Sequence, residues 1–120
     1  MARILVVEDN PQNMRLAAVV LEQAGHEVFQ AVDAATGIDL ARATRPDLIL
    51  MDLQLPDMDG LAATRVLKAD PVTQRTPICA LTACAMKGDE ERIREAGCDG
   101  YITKPIRYRE FLNVVTAVLG

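Results

Sequence analysis

Leu48-Ile49-Leu50-Met51-Asp52 is an unbroken apolar run closed by an acid. Without polar alternation, such a segment has to be apolar on both faces, as in a central strand of a parallel sheet covered by helices on both sides. Similar runs lie outward from it: Ile4–Val7 and Ile78–Leu81, with Val28–Val32 and the pair Tyr101-Ile102 as shorter strands. Helical spacing fills the intervals. Asn10 is placed to cap and Pro11 to occupy the first turn of a helix that aligns Met14, Ala17, Ala18 and Leu21 and stops at Gly25. A thinner helix follows Asp33 with Ile38 and Ala41, and a third starts near Gly60 with Ala63, Val66 and Leu67 and closes at Asp70-Pro71. The fourth, Asp89 to Ala96, has Ile93 as its only large apolar residue and is poorly anchored. The last puts Tyr108, Phe111, Leu112, Val115, Val118 and Leu119 on its buried side.

Five strand and helix alternations with short connections imply an α/β domain with a parallel sheet between helical layers, because each parallel crossover needs a helix. The chain of 120 residues shows no repeat and no linker, so residues 1–120 are read as one domain. Half the residues are apolar and a quarter charged, as in an ordinary soluble protein. No apolar run approaches the roughly 20 residues that cross a bilayer, and Met1 opens no signal peptide, so a cytoplasmic location without membrane insertion is expected. Met1 and an end just after the last helix favour a complete protein. Thirteen Lys and Arg against seventeen Asp and Glu leave a charge of -4, the wrong sign for direct nucleic-acid binding. Cys79, Cys84 and Cys98 lack the paired spacing of zinc sites and read as core or boundary residues. His26 reads as a surface residue.

In parallel sheets of this kind ligands bind beyond the carboxyl ends of the strands, where the strand order reverses. Those ends carry Glu8 and Asp9, then Asp52, Thr82 and Lys104. Two carboxylates about 5 Å apart repel by roughly 3 kcal/mol at an effective dielectric near 20, so something positive has to join them. Hard carboxylate oxygens without His or Cys suit Mg²⁺, with Mn²⁺ as a substitute. With Lys104 and the Thr82 hydroxyl added, an anion forming on Asp52 would be surrounded by positive groups and donors, as phosphoryl transfer requires.

The segments Val7-Glu8-Asp9-Asn10, Leu50-Met51-Asp52, Leu55-Pro56-Asp57-Met58-Asp59-Gly60, Leu81-Thr82-Ala83 and Tyr101-Ile102-Thr103-Lys104-Pro105 resemble those of response-regulator receiver domains, in the right order and over essentially the whole chain. Met86-Lys87-Gly88-Asp89-Glu90-Glu91-Arg92-Ile93-Arg94-Glu95 also resembles the DivK-type cell-cycle regulators, which are single receiver domains. The resemblance implies a flavodoxin-like (βα)5 three-layer sandwich with strand order 2-1-3-4-5. It implies Asp52 as phosphoacceptor, Asp9 as a direct Mg²⁺ ligand, Glu8 acting through a metal-bound water, and the Gln54 carbonyl as another ligand. Thr82 and Lys104 would hold phosphoryl oxygens, Tyr101 would be the aromatic switch, and the Lys104–Pro105 bond would be cis. Gln54 and Cys84 occupy positions where the family tunes phosphoryl lifetime. The implied partners are a histidine kinase or phosphotransfer protein and a downstream protein that reads the surface of the fourth helix, fifth strand and last helix. The expected state is a monomer or weak dimer, and the chain is not expected to be a dedicated enzyme.

Other readings of the same residues stand beside this one. Glu8 and Asp9 would also suit the positive start of the first helix, Thr82 would also cap the helix after it, and Tyr101 would also be an ordinary boundary aromatic. In the charged helix, Glu90 with Arg94 and Asp89 with Arg92 are expected to pair as helical neighbours. A phosphatase of the haloacid-dehalogenase type shares Asp, Thr, Lys and Mg²⁺, but it carries an acid two residues after its nucleophile, where this chain has Gln54. A docking module with idle chemistry is a further alternative. Flavin binding would place a phosphate against Glu8-Asp9, which would repel it.

Overall fold

A computed structural model describes residues 2–83 and 87–120. Its elements are β1 (Arg3–Val7), α1 (Pro11–Gln23), β2 (Glu27–Ala31), α2 (Ala34–Thr44), β3 (Leu48–Asp52), α3 (Gly60–Ala69), β4 (Ile78–Thr82), α4 (Lys87–Glu95), β5 (Gly100–Thr103) and α5 (Tyr108–Leu119). The strands form one parallel sheet in the order β2-β1-β3-β4-β5, as expected.

The apolar runs are explained by what covers each face. Leu5, Val7, Ile49 and Met51 pack in one core layer with Ala34, Ala41, Ala63, Leu67 and Ile93 from α2, α3 and α4. Their neighbours Ile4, Val6, Leu48 and Leu50 join Met14, Ala17 and Leu21 of α1 and Phe111 and Val115 of α5. Successive strand residues point to opposite faces, and here both faces are dry. Cys98 belongs to the first layer and Cys79 to the second, both buried. Burial pushes the Cys79 thiol up to about 12, which leaves it an unreactive apolar filler. Cys84 lies outside the described residues.

Local chemistry sets the helix starts. The Asn10 side chain accepts the Gln12 and Asn13 N–H groups at 2.9 and 3.1 Å, as its cap role predicts. Three apolar expectations fail. Val32 is outside β2 and 60% exposed, because the chain leaves the sheet at Ala31 and turns toward the Asp33 cap. Val66 is also exposed: the buried stripe of α3 runs through Ala63, Thr64 and Leu67, and Thr64 is accommodated because its hydroxyl donates to the Gly60 carbonyl at 2.8 Å. Tyr108 is 54% exposed at the first residue of α5, while Ile106, just before the Arg107 cap, is buried instead. His26 is half-buried and its Nδ1 accepts the Ala2 N–H at 3.1 Å. Among the described residues no helix is long and apolar enough to cross a membrane.

Candidate functional site

Parallel strands bring all five carboxyl ends to one edge, and β1, β3, β4 and β5 are consecutive neighbours there. Val7 is level with Met51, Asp52 with Leu81, and Thr82 with Thr103. One residue further along β1 is Glu8, and one further along β5 is Lys104, so side chains far apart in sequence reach a common mouth. Lys104 N–H donates to the Thr82 carbonyl at 2.7 Å, joining two of these ends directly. The Lys104–Pro105 bond is cis.

Carboxylate oxygens of Glu8, Asp9 and Asp52 all lie within 4.8 Å of one another. At that spacing each pair of charges repels by about 3 kcal/mol at an effective dielectric near 20. Lys104 answers part of this, its Nζ standing 3.0 Å from Glu8 Oε2 and 3.2 Å from Asp52 Oδ1. Glu8 Oε1 also accepts the Asn10 N–H and the Asn13 amide at 3.3 and 3.4 Å. Glu8 Oε2 is buried and, apart from its ion pair with Lys104, has no hydrogen-bond partner among the described residues.

The proton affinities tell the same story. Asp52 is held above the usual carboxylate range, first by burial and then by the Glu8 charge, against the opposing Gln54 N–H and Lys104. Burial alone would lower Lys104, but its hydrogen bond to Glu8 and the charges of Asp52 and Glu8 raise it. An acid and a base that both hold protons more tightly mark a site short of positive charge. A hard divalent cation fits: the donors are oxygens, two of the three acids are buried, and one buried oxygen lacks a hydrogen-bond donor.

Asp52 Oδ1 accepts the Gln54 N–H at 3.1 Å, and Gln54 forms an isolated bridge with Asp59 across the loop. That loop brings α3 hard against the end of β3. A Cβ at Gly60 would lie 2.2 Å from the Asp52 carbonyl oxygen, so only glycine fits. Thr82 is buried at the end of β4 and lines, with Asp52, Gln54, Lys104, Asp89 and Arg92, a cleft of about 230 Å³. Asp89 pairs with Arg92 at 3.7 Å, as expected. Glu90 instead accepts the hydroxyl of Tyr101, which is half-buried beside the α4 layer and held above its ordinary pKa by that bond. Glu8, Asp9, Asp52, Gln54, Thr82, Tyr101 and Lys104 are therefore at this edge or beside it, and Cys84 lies outside the described residues. Asn13 was missed, although it follows Asn10 at helical spacing. Asp57 was also missed as more than a loop residue, and no local signal marks it.

The geometry and the sequence agree with one family. A response regulator receiver domain model matches residues 4–116, and the chain belongs to that family, whose members are signalling switches of two-component systems rather than dedicated enzymes. This membership sets aside the phosphatase and flavin alternatives. More narrowly, the chain is 47% identical over 117 residues to the polar-differentiation response regulator DivK of Brucella anthropi, covering 98% of this chain and 95% of that protein. The DivK of Brucella ovis is 46% identical over the same length. Among solved structures, the chemotaxis protein CheY4 of Vibrio cholerae superposes with a TM-score of 0.93 at 26% identity, covering 98% of both chains. The receiver domain of the sensor histidine kinase PA1611 from Pseudomonas aeruginosa, solved with a magnesium ion coordinated in its active-site cleft, has a TM-score of 0.91 at 38% identity and covers 99% of this chain and 98% of its own.

Proposed function

We propose that residues 1–120 act as one cytoplasmic receiver domain that accepts a phosphoryl group on Asp52 from a phosphohistidine of a histidine kinase or phosphotransfer protein. The observation that carries this reading is the set of three carboxylates within 4.8 Å, two of them reached by the Lys104 ammonium at 3.0 and 3.2 Å. Glu8, Asp9, Asp52 and the Gln54 carbonyl would hold Mg²⁺, or Mn²⁺ in its place. When bound, the cation supplies neutralisation of charge on the transferring group.

An Asp52 carboxylate oxygen attacks phosphorus, the O–P bond forms as the N–P bond breaks, and the donor imidazole keeps the electron pair. Lys104 and Thr82 then hold phosphoryl oxygens. If each charge-assisted bond contributes roughly 1.5–3 kcal/mol, two approach the roughly 5.5 kcal/mol that inverts a 1:99 population. Tyr101 releases Glu90 as it turns inward, so the surface of α4, β5 and α5 changes for a downstream protein. Water attack on phosphorus later returns the Asp52 carboxylate and inorganic phosphate, with Gln54 and Cys84 at lifetime-tuning positions. The charge of -4 supports protein rather than nucleic-acid partners, with the domain a monomer or weak dimer.

Mass spectrometry after incubation with acetyl phosphate and Mg²⁺ tests the reading. The unaltered chain should gain one phosphoryl group, and none when a chelator is present from the start, and Asp52→Asn should gain none. Equal labelling of both would remove Asp52 from the role, and no labelling of either would favour a phosphorylation-independent docking module.

A further inference from the structure

The motif Leu55-Pro56-Asp57-Met58-Asp59-Gly60 contains two acids, Asp57 and Asp59, neither with a part in the chemistry above. Asp59 caps α3, its Oδ1 accepting the Leu61 N–H at 2.9 Å. Asp57 turns to a different helix. Its Oδ1 accepts the Ala34 N–H at 2.8 Å and its Oδ2 the Ala35 N–H at 3.0 Å, so one carboxylate grips the first two residues of α2.

A helix start leaves four N–H groups without intrahelical acceptors. At α2 the Thr36 N–H goes to Asp33 Oδ1 at 2.8 Å, while the Gly37 N–H makes the first intrahelical bond, to the Asp33 carbonyl at 3.1 Å. Two of the three N–H groups that open α2, those of Ala34 and Ala35, therefore bond to the loop that follows the phosphoacceptor. The two backbone donors hold the Asp57 carboxyl below the usual carboxylate range, as expected of an anion at the positive end of a helix.

The same turn of α2 bears on the opposite side of the metal site. A Cβ at Gly37 would lie 2.7 Å from Val7 Cγ2, so the missing side chain lets α2 seat directly on the last residue of β1. Val7 is followed immediately by Glu8 and Asp9. Glu8 N–H in turn donates to the carbonyl of Ala31, three residues before α2, at 3.0 Å. The first turn of α2 thus abuts the strand that delivers two carboxylates and is clasped by the loop that delivers Gln54.

We propose that Asp57 is a positioning residue for the metal site: by clasping α2, it fixes the Gln54 loop relative to Glu8, Asp9 and Asp52, so that Mg²⁺ affinity and the order of the α2 start are coupled. This rests on the reading that these residues hold Mg²⁺. The coupling is reciprocal: the factor by which the clasp strengthens Mg²⁺ binding is the factor by which Mg²⁺ strengthens the clasp.

The test is calorimetric titration of Mg²⁺ into the full chain. Residues that orient metal ligands commonly change affinity by 10–100-fold, so Asp57→Ala should weaken binding about tenfold. Asp33→Ala, which removes a cap bond from the same helix but does not touch the loop, should stay within about twofold of the unaltered chain. That contrast separates positioning from loss of helix stability. Asp57→Asn keeps one acceptor oxygen and should fall between. In the unaltered chain, which avoids any question of misfolding, Mg²⁺ should slow hydrogen exchange at Ala34 and Ala35. Affinity of Asp57→Ala within about twofold of the unaltered chain, equal losses in Asp57→Ala and Asp33→Ala, or exchange at Ala34 and Ala35 indifferent to Mg²⁺ would each overturn the coupling. Failure of the unaltered chain to bind Mg²⁺ would overturn the functional reading first.

Discussion

At the amino ends of the strands, Asp47 accepts the Arg3 N–H at 2.8 Å, and Asp99 accepts the Ile78 N–H at 2.9 Å and pairs with Lys68 at 3.1 Å. Lys68 also donates to the Thr76 carbonyl at 2.9 Å. At the carboxyl ends, Glu8 and Asp52 are 1% and 2% exposed, with Asp9 beside them, and both reach the same Lys104. The first arrangement matches each acid to donors where water still helps. The second buries like charges with too little opposite charge, which disfavours the metal-free fold and prepares it to take up a cation. One sheet therefore carries an edge of matched charges and an edge of crowded ones, a division common where function demands groups that folding alone would not choose.

Breaking the carboxyl-end balance should have the largest effect. Lys104→Ala leaves buried Glu8 without its cation, and urea unfolding followed by circular dichroism should show a loss of about 2–3 kcal/mol without Mg²⁺. Mg²⁺ should recover part of it. A smaller effect of opposite sign is expected from Asp52→Asn, which removes one of the crowded charges: the metal-free melting temperature should rise by about 4 °C for each kcal/mol of repulsion relieved.

The pH dependence sharpens the same contrast. Because folded Asp52 has a raised pKa, its charge disfavours the fold above that value, and the penalty disappears as pH falls toward the unfolded value of about 3.9. Asp57 is shifted the other way, so its contribution is present above about 3.9 and is lost as pH falls through its lower folded value. Metal-free stability should therefore rise from neutral pH toward about pH 4 and then decline. Asp52→Asn should remove the rise and Asp57→Asn should soften the decline. The smallest effect belongs to the amino end: Lys68→Ala should cost about 1 kcal/mol and leave acetyl-phosphate labelling of the chain unchanged.

The dry central strands were legible because Leu48–Met51 has no polar residue to present to water, and the acids at the strand ends stood out against that background. Pro11 and Asn10 announced α1 through local backbone chemistry. Val32, Val66 and Tyr108 misled because apolar type alone does not say where a strand leaves the sheet or which stripe of a helix meets it. The Glu90–Tyr101 bond was hidden for a related reason. Sequence spacing favoured Arg94 on the same helix, whereas β5 brought a hydroxyl from another element.

By itself, the order of apolar runs, helix caps and strand-end acids determined the class of fold and the set of residues that share its carboxyl edge, because periodicity and capping act over a few residues. Only the tertiary structure decided which acid shares which cation, that Glu8 keeps a buried oxygen without a hydrogen bond, and that Asp57 serves a helix 22 and 23 residues earlier. Those outcomes depend on distances across the sheet, and electrostatic and hydrogen-bond energies change steeply over ångströms that no spacing along the chain records.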